Sequence, residues 1–233
     1  MHTKSEVSSD MPYAVELLFD KEGEARVRRI WEALKAAGLG AYMVESGSIP
    51  HITLAAYDSL STSDTGNLSR IAEIRFCKLL GEFAPRWAPF AVNFGSIGAF
   101  PQSGGTVFLN PIPSEDLLMI HRHFHCSFDD FEANGWKYYK PSLWVPHCTL
   151  STSAEDSAMP EAIRLVLGKF RPFQVEIAAA SLVRFQPAVR VVESVSGDEQ
   201  DLEDTQSTRS LPVEHLCTLK LGTGEKHPRF PGK

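Results

Sequence analysis

Apolar residues recur along this chain with two different periods, which predict a series of strands and helices. Compact apolar runs and runs with a period of two predict strands. They cover Tyr13–Phe19, Tyr42–Glu45, His51–Tyr57, Phe90–Phe100, residues 106–110, residues 147–153, Phe173–Phe185 and residues 212–221. A period of about 3.6 residues predicts helices. They follow Asp20 as far as Gly38 and cover residues 67–83, 115–128 and 160–168.

The helices have recognisable starts and apolar faces. Asp20 and Ser114 are residue types that cap helix N-termini, and acidic residues follow both of them. The predicted apolar faces are Val27, Ile30, Trp31 and Leu34 in the first helix, Leu68, Ile71, Ile74, Leu79 and Leu80 in the second, and Leu117, Leu118, His121, Phe124 and Phe128 in the third. Helices and strands mixed in both halves of the chain indicate two α+β lobes.

Composition adds little to this picture, because it is that of an ordinary globular protein. Of the 233 residues, 43% are hydrophobic and 22% are charged. There is no run of about 18 apolar residues to predict a membrane span, and residues 1–10 lack the pattern of a secretory signal. We therefore expect a cytoplasmic or nuclear protein, with one domain over residues 11–221 between a flexible N-terminus and a flexible tail at residues 222–233.

The negative charge is concentrated in one segment. A net charge of −6 argues against a protein that coats nucleic acid. Six acids lie between Glu193 and Asp204 without a Lys or Arg, so the rest of the chain is neutral overall and can accept an anionic ligand. We expect residues 194–210 to be a disordered acidic loop. The four cysteines have no metal-site spacing and are predicted to be buried free thiols: Cys77, Cys126, Cys148 and Cys217.

One short sequence, Pro-His-x-Thr-Leu, occurs twice. The first copy contains His51 and Thr53, and the second contains His147 and Thr149. Side chains alternate between the two faces of a strand, so each His shares a face with its Thr while the apolar residues turn the other way. Each copy therefore predicts a strand with one face for the core and one face for chemistry. Because the copies lie in matching halves, we expect both to line one cleft.

The doubled His-x-Thr-Leu resembles the signature of the 2H phosphoesterase superfamily, also called the 2′-5′ RNA ligase-like or LigT-like family. The hairpin that ends in Phe-Leu-Asn-Pro and the approach from Trp144 to the second motif also resemble that family. The resemblance implies a bilobal α+β fold with pseudo-two-fold symmetry, in which two antiparallel sheets flanked by helices surround a central cleft. It further implies action on 2′,3′-cyclic phosphates, 2′-5′ linkages or related RNA and nucleotide ends, without a metal or another cofactor.

The motif residues suit acid–base chemistry at phosphorus. Hydrolysis of a cyclic phosphate requires one group that activates water and another that protonates the leaving oxygen. His51 and His147 can divide these tasks, because the unperturbed pKa of imidazole is about 6.5. We expect the hydroxyls of Thr53 and Thr149 to donate hydrogen bonds to the phosphoryl oxygens. The sequence leaves open which histidine is the base.

Aromatic residues near the motifs are candidates for stacking on a nucleobase. We expect substrate contacts from Phe100, Tyr139 and Trp144. Two other histidine patterns are interpreted as structural. His121 and His125 lie four residues apart on a helix, but a third metal ligand is lacking, so we predict an ordinary helix face. His215 lies three residues from the next threonine, which places the two on opposite strand faces and rules out a third motif.

Three functions remain open. The first is a monomeric phosphodiesterase that hydrolyses a nucleotide or RNA end with a cyclic phosphate or a 2′-5′ linkage. The second is the reverse chemistry, ligation of RNA ends into a 2′-5′ bond. The third is a module that binds RNA or nucleotides in the same cleft with little catalysis.

Overall fold

A computed structural model describes residues 13–62, 69–101, 105–152, 158–185 and 212–223. Seven strands and five α-helices occur in these ranges. The strands are β1 (Tyr13–Phe19), β2 (His51–Tyr57), β3 (Phe90–Phe100), β4 (Thr106–Pro111), β5 (Cys148–Ser151), β6 (Phe173–Phe185) and β7 (Val213–Lys220). The α-helices are α1 (Lys21–Ala36), α2 (Tyr42–Glu45), α3 (Ser69–Phe83), α4 (Glu115–Ser127) and α5 (Met159–Lys169). Short 3-10 segments cover Ala84–Arg86, Asp129–Asn134 and Lys137–Tyr139.

All seven strands pair antiparallel in one sheet, in the order β2-β1-β6-β3-β4-β5 with β7 also on β6. The first residues of β6 pair with β3 and its last residues pair with β7, while β1 lies along the other edge. The predicted α+β class is confirmed. The two sheets that we expected are joined into one, because the long strand β6 runs through both halves.

Helices cover each half of this sheet. Helix α1 contacts β5 and α5, and α5 contacts β4. On the other half, α3 contacts β7 and packs against α4 through an aromatic cluster. The caps predicted for α1 and α4 are present, since Asp20 accepts from the Gly23 N–H and Ser114 accepts from the Leu117 N–H. The predicted apolar face of α1 is buried throughout.

The buried face of α3 differs from the predicted one. Ile71 and Ile74 are 51% and 63% exposed, although we expected them in the core. Leu80 is buried as predicted, and Leu68 lies outside the described residues. The buried stripe is Ala72, Phe76, Leu80 and Phe83. Phe76 contacts four other aromatic rings, and burial of these large rings outweighs burial of the isoleucines: Tyr57, Phe124, Phe128 and Phe131.

Tyr42–Glu45 forms the short helix α2, so the predicted strand there is wrong. The segment lies between Gly40 and Gly47, which adopt φ values of 149° and 75°. Glycine tolerates such angles, so the chain turns on both sides of the segment instead of running straight. The second motif strand is also shorter than predicted, because its ladder with β4 begins at Cys148.

The cysteines differ most from expectation. Cys77 in α3 forms a disulfide with Cys217 in β7, so the prediction of free thiols is wrong for this pair. The two residues are 140 positions apart in sequence and meet only because α3 packs on β7. Cys148 is a buried free thiol as predicted, whereas Cys126 is free but exposed.

Three of the predicted segments lie outside the described ranges. The N-terminus at residues 1–10, the acidic loop at residues 194–210 and the tail from residue 224 all lie there, so these assignments stay predictions. None of the helices in the described ranges combines the length and the apolar character needed to cross a bilayer.

Candidate active site

The two motif strands occupy opposite ends of the strand order but lie next to each other in space. Among the described strands, β2 and β5 each pair with one neighbour in the sheet, and they contact one another. The Cys148 thiol on β5 accepts a hydrogen bond from the backbone of His51 on β2. The sheet therefore curves until its outermost strands meet, and it brings His51 and His147 into one site.

Both motif histidines are held by the same backbone interaction. The Nδ1 atom of His51 lies 2.6 Å from the Ile49 carbonyl oxygen, and that of His147 lies 2.7 Å from the Val145 carbonyl oxygen. A carbonyl oxygen can only accept a hydrogen bond, so Nδ1 carries the hydrogen in both rings. In each neutral imidazole Nε2 is then the nitrogen left for proton transfer.

Burial keeps both imidazoles neutral near pH 7. It lowers the pKa of His51 to about 4, although the bond to Ile49 acts in the opposite direction. Burial also lowers the pKa of His147, and the proximity of His51 lowers it further. Each ring is thus suited to accept a proton, while a general acid needs an additional source of one.

The motif threonines are fixed by indole groups from the opposite half of the chain. The Trp144 Nε1–H donates to the Thr53 carbonyl oxygen at 3.0 Å, and the Trp31 Nε1–H donates to the Thr149 carbonyl oxygen at 2.9 Å. Because β2 and β5 each have an edge without a neighbouring strand, backbone carbonyls there need another donor. The two indoles supply it symmetrically.

Two phenylalanines surround the ring of His147. The Phe100 and Phe108 centroids lie 5.1 and 5.2 Å from it. Phe108 faces Gly98 across the β3–β4 ladder, and a Cβ at Gly98 would come within 2.5 Å of its ring. The glycine therefore lets Phe108 lie over β3 and against the site. Phe100 is placed beside His147, and its contact with substrate stays a prediction.

Tyr139 and Trp144 lie close to the first motif. Burial, and then the nearby Glu16 carboxyl, raise the pKa of Tyr139 to about 12. The Trp144 ring stacks on His121 at 3.7 Å with an interplanar angle of 2°. One face of this indole is therefore covered by protein, and its N–H is engaged by Thr53. Their roles in binding substrate stay predictions.

The predicted ordinary helix face at His121 and His125 is a buried hydrogen-bond network. The Nδ1 atom of His125 lies 2.6 Å from Glu132 Oε1, its Nε2 lies 3.2 Å from His121 Nε2, and His121 Nε2–H donates to the Tyr139 carbonyl oxygen at 2.8 Å. Across the ranges that the structure describes, no three His, Cys, Asp or Glu side chains are grouped to hold a metal. The network instead ties α4 to the segment that carries Tyr139.

Sequence reasoning missed Glu16. This residue lies on β1 directly between Thr53 of β2 and Ser181 of β6, and it is only 2% exposed. Its Oε1 lies 3.4 Å from His51 Nε2. Burial raises the pKa of Glu16 to about 8. The sequence feature that could have identified Glu16 is that it is the single acidic residue in the otherwise apolar strand Tyr13–Phe19.

His215 also lies nearer to the site than expected. Its Nδ1 atom lies 2.9 Å from the Ser181 hydroxyl. Burial lowers the pKa of His215, and so does the proximity of His51. The prediction that His215 and the next threonine, Thr218, lie on opposite strand faces is wrong, because a register shift in the β6–β7 ladder brings both side chains to the same Ser181 hydroxyl.

Comparison with known families decides the identity of the fold. A sequence model of the 2′-5′ RNA ligase superfamily matches residues 19–188, well over half of the chain. The chain belongs to the 2′-5′ RNA ligase superfamily. The resemblance to the 2H phosphoesterases is thereby confirmed. No curated protein matches the chain at a significant level.

Solved structures with a similar fold include a Thermus thermophilus protein and Escherichia coli LigT. The Thermus thermophilus protein matches with 13% identity and a TM-score of 0.56, over 91% of this chain and 100% of the other. Escherichia coli LigT, solved with 3′-AMP, matches with 14% identity and a TM-score of 0.52, over 91% and 98%. LigT in its apo form matches with 13% identity and a TM-score of 0.54, over 92% and 99%. These likenesses establish a LigT-like architecture.

Proposed function

We propose that this protein is a phosphodiesterase that hydrolyses 2′,3′-cyclic phosphates or related RNA and nucleotide ends by two-histidine acid–base catalysis. The observation that carries the proposal is the matched pair of imidazoles. His51 and His147 have the same Nδ1 anchor, lie on adjacent strands, and each leave Nε2 for proton transfer.

In this mechanism one Nε2 removes a proton from water as the oxygen attacks phosphorus. The other Nε2–H protonates the 2′ or 3′ oxygen as its bond to phosphorus breaks. The hydroxyls of Thr53 and Thr149 donate to phosphoryl oxygens, on which negative charge accumulates. Because the two imidazoles supply both proton transfers, the proposed reaction needs no metal.

Phe100 is the best-placed candidate for contact with the base. It lies at the partly exposed end of β3 and its ring meets that of His147 edge to face. Structures of the E. coli neighbour LigT with 3′-AMP and with NADP⁺ support a nucleotide as the ligand class. We extend the proposal to a nucleotide or RNA-end substrate, a monomeric enzyme and a cytoplasmic or nuclear location.

The test is a panel of the four 2′,3′-cyclic nucleotides, with products identified by mass spectrometry and chromatography. We expect a 2′- or 3′-monophosphate, loss of turnover by at least about 100-fold in His51→Ala and in His147→Ala, and full activity in EDTA. Retention of full activity by either variant would contradict the proposal. Binding without product would favour a binding module, and a 2′-5′ bond formed from RNA ends with a cyclic phosphate and a 5′-hydroxyl would favour ligation.

A further inference from the structure

Glu16 breaks the symmetry between the two motif histidines. Its Oε1 lies 3.4 Å from His51 Nε2, and its Oε2 is buried without a hydrogen-bond partner among the described residues. None of the described carboxylates makes a comparable contact with His147. The anchoring of the two rings is alike, but only one of them has a carboxyl group beside the reactive nitrogen.

We propose that Glu16 and His51 share one proton and act together as the acid of the reaction, which leaves His147 as the base. This inference rests on the proposed phosphodiesterase function. In it His51 is the catalytic residue that touches the leaving oxygen, and Glu16 is a positioning residue that stores the proton for His51. The assignment of acid and base follows from a residue outside both motifs.

The proton count supports the pairing. Burial raises the pKa of Glu16 to about 8 and lowers the pKa of His51 to about 4. Between these values the pair holds one proton and no net charge, which is the least costly state in a buried site. The separation of 3.4 Å between Glu16 Oε1 and His51 Nε2 is long for a hydrogen bond, as is common for catalytic contacts in active sites without substrate.

The other titratable groups near this pair do not change their protonation state near pH 7. The proton shared by Glu16 and His51 is therefore the one that is gained or lost in this range. Burial raises the pKa of Tyr42 in α2, with Glu16 adding to the effect, and burial raises the pKa of Cys148 in β5 to about 12. Burial, and then the nearby Glu16, also raise the pKa of Tyr139. All three are therefore protonated at pH 7. Burial lowers the pKa of His147 and of His215 in β7, and both are neutral there.

The step balances as follows. His147 Nε2 takes one proton from water while the water oxygen forms a bond to phosphorus. The bond from phosphorus to the 2′ or 3′ oxygen breaks, and that oxygen takes the proton from His51 Nε2–H. Glu16 is left as a carboxylate beside neutral His51. After product release the proton on His147 passes to solvent, and the pair takes one back, so one water is consumed for each cyclic phosphate.

The test compares the pH profile of kcat/KM for the wild-type protein and for Glu16→Gln, which keeps the size of the side chain but cannot store the proton. We expect the alkaline limb of the wild-type profile near pH 8. In the variant it should move to lower pH by more than about one unit, with a loss of at least about 100-fold at pH 7.5 that shrinks toward pH 5. Glu16→Asp, which keeps a titratable carboxyl, should restore much of the wild-type profile and serves if the amide variant does not fold.

Ser181→Ala is the matched control. Ser181 is the neighbour of Glu16 on β6, and its removal changes the surroundings of the carboxyl without removing the proton store. We expect the alkaline limb to stay in place. An alkaline limb that stays in place in Glu16→Gln overturns the inference while leaving the phosphodiesterase function intact.

A second readout separates this inference from the proposed function. If the wild-type protein turns over no cyclic nucleotide, the function fails, but the pair can still be examined by nitrogen NMR of the His51 ring. A change of the Nε2 signal near pH 8 in the wild type and its absence in Glu16→Gln would support the shared proton. A signal that is unaffected by the substitution would overturn it.

Discussion

Replacement of Glu16 by Gln should stabilise the folded protein at alkaline pH, even as it impairs catalysis. The carboxyl has a pKa of 4.5 in its ordinary state and about 8 in the folded chain. Below pH 4.5 it is protonated in both states, and there it has no effect on stability. As pH rises from 4.5 to about 8, the unfolded chain ionises while the folded chain must hold a proton, so stability falls through this window.

The size of the effect follows from the same two values. At about 1.36 kcal/mol per pH unit, a pKa displaced from 4.5 to about 8 corresponds to about 5 kcal/mol above pH 8. Local relaxation and water penetration reduce the cost of a buried charge, so about 5 kcal/mol is an upper bound and about 2–4 kcal/mol is our expectation. The glutamine variant does not have this cost at all.

The assay is urea unfolding followed by tryptophan fluorescence at several values between pH 4.5 and 9, with free energies obtained by linear extrapolation. The difference between Glu16→Gln and the wild type should be near zero at the acid end and should grow with pH. The lowered pKa of His51 reduces stability as pH falls below 6.5, but it does so in both proteins. A difference that is constant with pH, or a variant that is less stable at pH 9, would refute the reasoning.

Three further substitutions test the supports of the site. Trp144→Phe removes the indole donor to Thr53, and urea unfolding should show a loss of about 1–3 kcal/mol with reduced kcat. Gly98→Ala forces the Phe108 ring to move, so kcat/KM should fall while the circular dichroism spectrum is retained; unchanged kinetics would mean that the ring position is unimportant. Cys77→Ser opens the disulfide and should lower stability by about 3–5 kcal/mol, and the variant, unlike the wild type, should not respond to a reductant.

The positions of most strands could be predicted from the sequence, because alternation of apolar and polar residues is strong where one face of a strand is buried. The strands His51–Tyr57 and Phe90–Phe100 begin and end at the predicted residues. The doubled motif also predicted the family. These inferences use neighbours in sequence, so they need no knowledge of the tertiary structure.

The errors arise where distant contacts decide between local alternatives. Helix α3 has two apolar faces. The face with Phe76 is buried because it packs against the aromatic cluster, and the face with Ile74 is exposed. The pairing of Cys77 with Cys217 depends on how a helix lies on a strand 140 residues later. Glu16 was overlooked because a single acid in an apolar strand acquires meaning only when β2 places His51 beside it.

The position of β6 has a consequence for how the molecule forms. Two of its three neighbours, β1 and β3, belong to the first half of the chain, whereas β6 at Phe173–Phe185 comes late. On a ribosome, β1 and β3 emerge long before the strand that must lie between them. Until then they expose unpaired edges, and a direct pairing of β1 with β3 would exclude β6. We therefore expect a slow, late folding step in which insertion of β6 unites the two halves and completes the catalytic face.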